Sequence, residues 1–126
     1  MTILVKTVPH KLQIYNTCGY WHWTEKSLEI QVSDTGEEKY FWLILIHELV
    51  EALICKAQGI SEAEVDKFDM DFERNRQVLT LSTAEPGDHP KCPYRFAHCI
   101  ATGVERVVAA VIGVNWSEYE CALNSL

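Results

Sequence analysis

Residues 40–55, with the sequence YFWLILIHELVEALIC, decide the fold, because a helix built from them is apolar around nearly its whole circumference. A helix of this kind is normally buried on all sides. Thr35 and Glu38 have the form of a capping box before it, and Gly59 offers a C-terminal stop after it. We therefore expect one long central helix over residues 36–58, with the rest of the chain packed around it.

The N-terminal third has the pattern of strands. Residues 27–32 alternate, so that Leu28, Ile30 and Val32 share one face. Three other stretches favour extended structure because they are rich in β-branched, aromatic or alternating apolar residues, namely residues 3–5, 12–15 and 20–23. A small antiparallel sheet with one buried face fits this pattern.

Two further principal helices are expected after the central one. A capping box at residues 61–64 opens the second helix, and residues 80–93 are dense in turn-forming residues. The third helix is expected over residues 93–112, and residues 115–118 suggest a last short helical turn. The prediction is a single α+β domain over residues 1–126, in which the sheet packs on the central helix.

Composition restricts the classes of function. A hydrophobic content of 48% supports a packed core, and a formal net charge of −7 disfavours a nucleic-acid partner, whose phosphates require Lys and Arg. The five cysteines include no CxxC pair, and no leader segment is visible, so a reduced, cytoplasmic protein is expected. The unbroken apolar run over residues 40–46 is too short to cross a membrane, which needs about 20 residues.

The central helix carries three ionisable residues among its apolar ones. His47 and Glu51 are four positions apart, so their side chains lie on one helical face and can reach a single metal ion. Glu48 points about 100° away from His47, so it can flank such an ion without binding it. A buried carboxylate without a partner costs several kcal/mol, on the order of the penalties measured for buried ions. A bound cation would compensate for this cost.

The segment His47-Glu48-Leu49-Val50-Glu51 resembles the HExxH helix of zincin metalloproteases, with Glu51 in the place of the second histidine. This resemblance implies a metal-dependent hydrolase that acts on a peptide or a small molecule. It implies Zn²⁺ held by His47 and Glu51, with Glu48 as the general base. The glutamate that replaces a histidine is a departure from the family pattern.

A third ligand is needed, and the third helix provides candidates. His98 and Glu105 lie on one face of a segment that is otherwise apolar, so a second buried helix with polar residues is expected. His98 is the first choice and Glu105 the next, as a ligand or as a partner that orients a ligand. His89, in the preceding loop, is a third candidate.

A purely structural interpretation is also open. Glu48 would then pair with Arg95 or Arg106, Glu51 would pair with Lys56 or Arg74, and His47 would be a core histidine. Two functional alternatives remain as well.

In the first alternative, Glu48 and Glu51 with the later Asp66 and Asp69 resemble the Mg²⁺-binding carboxylates of MazG-like nucleotide pyrophosphohydrolases. In the second, the whole chain is similar to short phage and prophage proteins without an assigned activity. That resemblance suggests an interaction module that binds a host protein through exposed aromatic residues and holds no metal.

Overall fold

The computed structural model describes residues 1–79 and 84–126. The predicted α+β class is confirmed: the described residues form a small N-terminal sheet and four α-helices. The strands are β1 (Thr2–Val8), β2 (Gly19–Trp23) and β3 (Ser27–Ser33). The helices are α1 (Glu38–Gln58), α2 (Glu62–Leu79), α3 (Arg95–Val111) and α4 (Trp116–Asn124), and short 3-10 turns span His10–Leu12 and Pro86–Asp88.

The sheet is mixed and not purely antiparallel as predicted. Its strand order is β1-β3-β2, in which β2 pairs antiparallel with β3 and β1 pairs parallel with β3. The prediction was wrong at residues 12–15, which form no strand. Because these residues are in a connection instead, the chain crosses to the far side of β3 before β2 begins. The three apolar side chains of β3 that the alternation predicted are fully buried, namely Leu28, Ile30 and Val32.

Helix α1 packs against β2 and β3 on one side and along α3 on another. Its end agrees with the prediction, because Gly59 adopts φ of 71° and its N–H contacts the carbonyl oxygens of the last turn. Its start does not. The N-cap is Glu37, whose side chain accepts from the backbone N–H of Lys39, while Thr35 bonds to the backbone of Glu37. The helix therefore begins later than a Thr35 cap would place it.

Two of the later helices are capped as predicted, whereas α3 begins at Arg95 and not at the predicted Pro93, and Tyr94 before it makes no side-chain cap bond. Ser61 accepts from the backbone N–H of Glu64 at 3.2 Å, and Asn115 accepts from that of Glu118 at 3.0 Å. The turn that Asn115 opens continues for nine residues as α4, so it is a helix in its own right. The part of the predicted 80–93 loop at residues 80–83 lies outside the described residues.

Helix α3 runs antiparallel to α1, because the Lys39 ammonium near the start of α1 donates to the carbonyl oxygen of Ile112 just after α3. The face of α3 toward the core carries alanines that are at most 1% exposed, and such small side chains let two helices approach closely. The buried alanines are Ala97, Ala101 and Ala109. His98 and Glu105 lie on this same buried face.

The expectation that α3 is a buried helix holds for the face with His98 and Glu105 and is wrong for the opposite face. Its large apolar side chains are mostly on the outer face and exposed to solvent, because no described element covers that face. These exposed residues are Phe96, Ile100, Val104, Val107 and Val111. Within the described ranges, no helix is both long enough and apolar enough to cross a bilayer.

Candidate metal centre

Three residues predicted from sequence as ligands meet between α1 and α3. His47 and Glu51 lie one turn apart on α1, and His98 faces them from α3. One ligand atom from each of these side chains lies within 4.8 Å of the other two. Of the three candidates for the third ligand, His98 is therefore the one whose ring completes a converging set with His47 and Glu51.

The convergence point is one carboxylate oxygen. Glu51 Oε2 accepts a hydrogen bond from His47 Nε2 at 3.2 Å and another from His98 Nδ1 at 3.2 Å. Zinc binds nitrogen and oxygen at about 2.0–2.2 Å, so a tetrahedral ion separates two ligand atoms by about 3.3–3.5 Å. The two nitrogen–oxygen distances of 3.2 Å are therefore close to the distance between two ligand atoms of one zinc ion.

The second nitrogen of each ring also has a carboxylate partner. His47 donates through Nδ1 to Glu105 Oε2 at 2.8 Å, and His98 donates through Nε2 to Glu85 Oε2 at 3.0 Å. Asp88 lies further from the same His98 nitrogen, at 3.6 Å. Metal-binding histidines usually have such an outer carboxylate, which fixes the ring and its tautomer. Glu105 is thus placed as an orienting partner of His47, the second of the two roles predicted for it.

Two aromatic residues hold these carboxylates in place. The buried Trp21 donates from its indole nitrogen to Glu51 Oε1 at 3.1 Å, so it leaves Oε2 to the two histidines. The Tyr119 hydroxyl, which is also buried, donates to the second oxygen of Glu105. With these contacts, each oxygen of both glutamates has a protein donor, as groups buried at low dielectric require.

The charges of the metal-free centre follow from its hydrogen bonds. Burial alone would lower the pKa of both histidines, but hydrogen bonds to carboxylates outweigh it. They raise the pKa of His98 to about 10 and hold that of His47 well above its usual value. Burial would raise the pKa of Glu51, yet the hydrogen bonds from His47 and His98 lower it to about 2. The metal-free centre therefore contains two imidazolium ions around one carboxylate.

Glu48 lies beside this network without being part of it. Its carboxylate packs against Gly19 of β2, where a Cβ atom would come within 2.4 Å of Glu48 Oε1. Among the described residues it has no hydrogen-bond or ion-pair partner. Burial, together with the nearby charge of Glu51, raises the pKa of Glu48 to about 8. An unpaired carboxyl with this pKa is suited to proton transfer near neutral pH.

A cavity of about 550 Å³ connects these groups to solvent. It is lined by His47, Glu48, Glu51 and His98, and by residues of β2, α2, α4 and the 84–88 segment. A volume of this size is in the range of small-ligand sites. The convergence point of the ligands is therefore accessible to a small molecule or to a peptide side chain.

The remaining predicted residues lie elsewhere. His89 is exposed, and its ring contacts Phe68 and Phe72. The hydroxyls of Tyr15 and Tyr94 donate to Asp69. The hydroxyl of Tyr20 lies 2.8 Å from a carboxylate oxygen of Glu62 and 3.2 Å from one of Asp66.

The salt bridges of the structural interpretation are not formed by the described residues. Arg106 and Lys56 lie over tryptophan rings, and Arg74 lies beside Asp71. Glu51 is occupied by His47, His98 and Trp21 instead.

Sequence reasoning missed Glu85 and Gly87. Gly87 is buried against the imidazole of His98, and a Cβ atom at this position would come within 2.2 Å of the ring. The glycine is needed because the 84–88 segment must approach His98 closely enough for Glu85 to reach Nε2. The only signal in the sequence was a turn-forming Pro86-Gly87-Asp88 triplet ahead of a histidine, and such triplets are common in ordinary loops.

Replacing Gly87 with alanine is expected to displace the ring of His98 or the 84–88 segment. We expect the free energy of unfolding to fall by about 1–3 kcal/mol, the usual cost of overpacking. Chemical denaturation of the metal-free protein measures this change. Gly103→Ala in α3 is the control, because a Cβ atom there meets nothing within 4 Å. Equal stability of Gly87→Ala and wild type would contradict the close packing.

Comparisons of this chain with protein families, with curated proteins and with solved structures found no match.

Proposed function

We propose that the protein is a metal-dependent hydrolase of the zincin type, with one divalent ion held by His47, Glu51 and His98. One observation carries this proposal, namely that Glu51 Oε2 lies 3.2 Å from both His47 Nε2 and His98 Nδ1, with one ligand atom of each side chain within 4.8 Å of the other two. Two imidazoles and one carboxylate match the ligand set of catalytic zinc, which leaves a fourth position open. The outer contacts from Glu105 and Glu85 support the same assignment.

The proposed chemistry divides between the ion and Glu48. A bound Zn²⁺ would act as a Lewis acid and would lower the pKa of a water molecule at the open position. Glu48 would accept the proton, because it lines the same cavity and has no other described partner. Gly19 would keep the carboxylate in place, since any larger residue would occupy its position.

The cavity favours an uncharged or cationic substrate, such as a peptide or another amide. Carboxylates from several elements line it, namely Asp66, Asp69, Glu85, Asp88 and Glu120. Their combined field opposes the approach of phosphate groups. This supports amide hydrolysis over the Mg²⁺-dependent pyrophosphohydrolase, and neither Asp66 nor Asp69 belongs to a converging ligand set among the described residues.

The metal content of the purified protein tests this proposal. We expect near-stoichiometric zinc by elemental mass spectrometry in the wild type after zinc loading and desalting. Glu51→Gln and His98→Ala should lose it, because each removes one of only three protein ligands. Glu48→Gln should keep its zinc while losing hydrolysis by about 10²–10⁴-fold on any substrate that a peptide screen identifies.

His89→Ala is the matched control for His98→Ala, since His89 lies outside the centre and should leave the zinc content unchanged. A wild type that binds no zinc and gains no thermal stability from it would refute the proposal. Zinc binding that survives both Glu51→Gln and His98→Ala would place the ion elsewhere.

A further inference from the structure

A second group of ligand atoms meets on the other side of the His98 ring. His98 Nε2 lies 3.0 Å from Glu85 Oε2 and 3.6 Å from Asp88 Oδ1. One ligand atom from each of these three side chains lies within 4.8 Å of the other two, as in the centre formed with His47 and Glu51. Among the described residues there is no third group of this kind, and His98 is the residue that both groups share.

The short turn over Pro86–Asp88 places both carboxylates on one side. Glu85 precedes this 3-10 turn and Asp88 ends it, and the backbone N–H of Asp88 donates to the carbonyl oxygen of Glu85 at 3.2 Å. Side chains three positions apart are eclipsed in a 3-10 turn, so these two point the same way. Gly87 between them packs against the imidazole of His98. The turn therefore holds two carboxylates toward a single ring nitrogen.

One of these carboxylates is not needed to orient the ring. Glu85 accepts the proton of His98 Nε2 at hydrogen-bond distance, whereas Asp88 is too far away to do so. Neither carboxylate forms an ion pair with a Lys or Arg side chain among the described residues. The two carboxylates therefore share one imidazolium as their counter-charge and repel each other. A divalent cation at this point would attract both.

We propose that His98 Nε2, Glu85 and Asp88 bind a second Zn²⁺, so that His98 bridges two ions through its two ring nitrogens. One imidazole nitrogen and two carboxylate oxygens are ligands that zinc accepts in proteins. His98 gives up the proton on each nitrogen that binds an ion. The side chains of Glu85 and Asp88 are 59% and 65% exposed, so the ion can enter from solvent. This site goes beyond the proposed function, because it requires neither the first ion nor hydrolysis.

The second ion has a different role from the first. The two nitrogens of one imidazole point away from each other, so the ions are further apart than the roughly 3.5–4 Å at which two-metal sites clamp one substrate. The 84–88 segment forms part of the cavity wall, and the second ion fixes this wall to α3 through His98. Because water screens the charge of its exposed carboxylates, this ion binds more weakly than the one at Glu51.

Equilibrium dialysis against Zn²⁺, followed by elemental mass spectrometry, tests the second site. The wild type is expected to bind one ion more at dialysis equilibrium than it keeps after desalting. Asp88→Asn should keep the first ion, because the contact between Glu85 and His98 remains. It should raise the dissociation constant of the second ion at least about tenfold. Asp71→Asn is the matched control, since Asp71 is also exposed but pairs with Lys67, and it should bind zinc like the wild type.

Glu51→Gln separates this site from the proposed function. It removes a ligand of the first ion only, so it should lose the zinc that survives desalting and keep the ion that dialysis detects. His98→Ala should lose both ions. Equal zinc binding by Asp88→Asn and the wild type would overturn the second site and leave the first in place. So would a wild type that binds no more zinc in dialysis than after desalting. Zinc that survives desalting in Glu51→Gln would instead count against the proposed function alone.

Discussion

Glu48→Gln is expected to raise the free energy of unfolding of the metal-free protein, whereas Glu51→Gln, almost one turn away on the same helix, is expected to lower it. The two glutamates are close in sequence but have opposite surroundings. Glu51 accepts hydrogen bonds from His47, His98 and Trp21, whereas Glu48 has no described partner. Removing the charge is therefore expected to stabilise the fold at Glu48 and to destabilise it at Glu51.

The size of the Glu48 effect follows from its pKa. The folded state raises the pKa of this carboxyl from 4.5 to about 8, so folding holds a proton that the unfolded chain releases. Stability is unaffected below pH 4.5, falls as the pH rises to 8, and stays low above it. Glutamine removes this penalty. We expect a gain of about 2–4 kcal/mol at pH 9 and almost none at pH 4, since one pKa unit corresponds to about 1.4 kcal/mol.

Glu51→Gln has the opposite sign because it leaves two buried imidazolium groups without the carboxylate between them. Removing one member of a buried ionic network typically costs about 3–5 kcal/mol. Urea denaturation in the presence of a chelator, at pH 5 and pH 9, measures both variants. Glu38→Gln, at the exposed first turn of α1, should change stability little. A Glu48→Gln variant less stable than wild type at pH 9 would contradict the assignment of Glu48 as an unpaired carboxyl.

Such a pair of effects is typical of a functional site, where a destabilising residue persists because activity needs it. If Glu48 were structural, its carboxylate would be expected to have donors, as those of Glu51 and Glu105 do. The stability measurement therefore bears on the proposed role of Glu48 before a substrate is known.

Periodicity predicted the parts of the fold that depend on one segment at a time. The apolar residues of α1 predicted a helix buried on all sides, which is correct for the side that carries Leu43, Ala52 and Cys55 but wrong for the side of Trp42 and Leu53, which are 40% and 44% exposed. The alternation in β3 specified which side chains face the core. The pairing of β1 with β3 was not predictable in this way, because the direction of a strand depends on where residues 9–18 carry the chain. That connection is set by tertiary contacts, such as those of Gln13 and His10 with Ser33.

In the candidate site, too, the features within one helix were predictable from sequence, and those that depend on packing between helices were not. The spacing of His47 and Glu51 within one helix was enough to predict that both can reach one ion. The choice between His98, Glu105 and His89 was left open, because helical spacing contains no information on how α3 is placed against α1. The packing of the buried alanines of α3 against α1 determines which candidate is the third ligand. It brings His98 into hydrogen-bond contact with Glu51, whereas Glu105 contacts the other nitrogen of His47.

The exposure of the α3 valines has a related cause. A helix that is apolar on two faces is predicted to be buried on both. The pattern cannot tell whether the second face contacts the same chain, contacts another molecule or is exposed. In this chain no described element covers the second face of α3, where Val107 and Val111 are 65% and 80% exposed.

The ionic network of His47, Glu51 and His98 is expected to contribute most to the stability of the metal-free protein between about pH 4.5 and 6.5, and to lose this contribution on both sides of the window. Hydrogen bonds to carboxylates raise the pKa of His98 from 6.5 to about 10, so its contribution is complete below pH 6.5 and is lost as the pH rises to 10. His47 acts in the same direction. Glu51, with its pKa lowered from 4.5 to about 2, contributes fully above pH 4.5 and loses its contribution as the pH falls to 2.

Zinc is expected to shift this optimum to higher pH. Binding requires neutral imidazoles, so an ion competes with the two protons that His47 and His98 hold in the metal-free centre. Stabilisation by zinc should therefore grow between pH 6 and pH 8. Over the wider range up to pH 10, the free energy of unfolding of the metal-free protein should fall by several kcal/mol in order of magnitude. Denaturation midpoints across this range, with zinc and with a chelator, measure both curves. Parallel curves with zinc and with chelator would mean that the ion does not displace these protons, and the histidine pair would then be an internal ionic network without a metal.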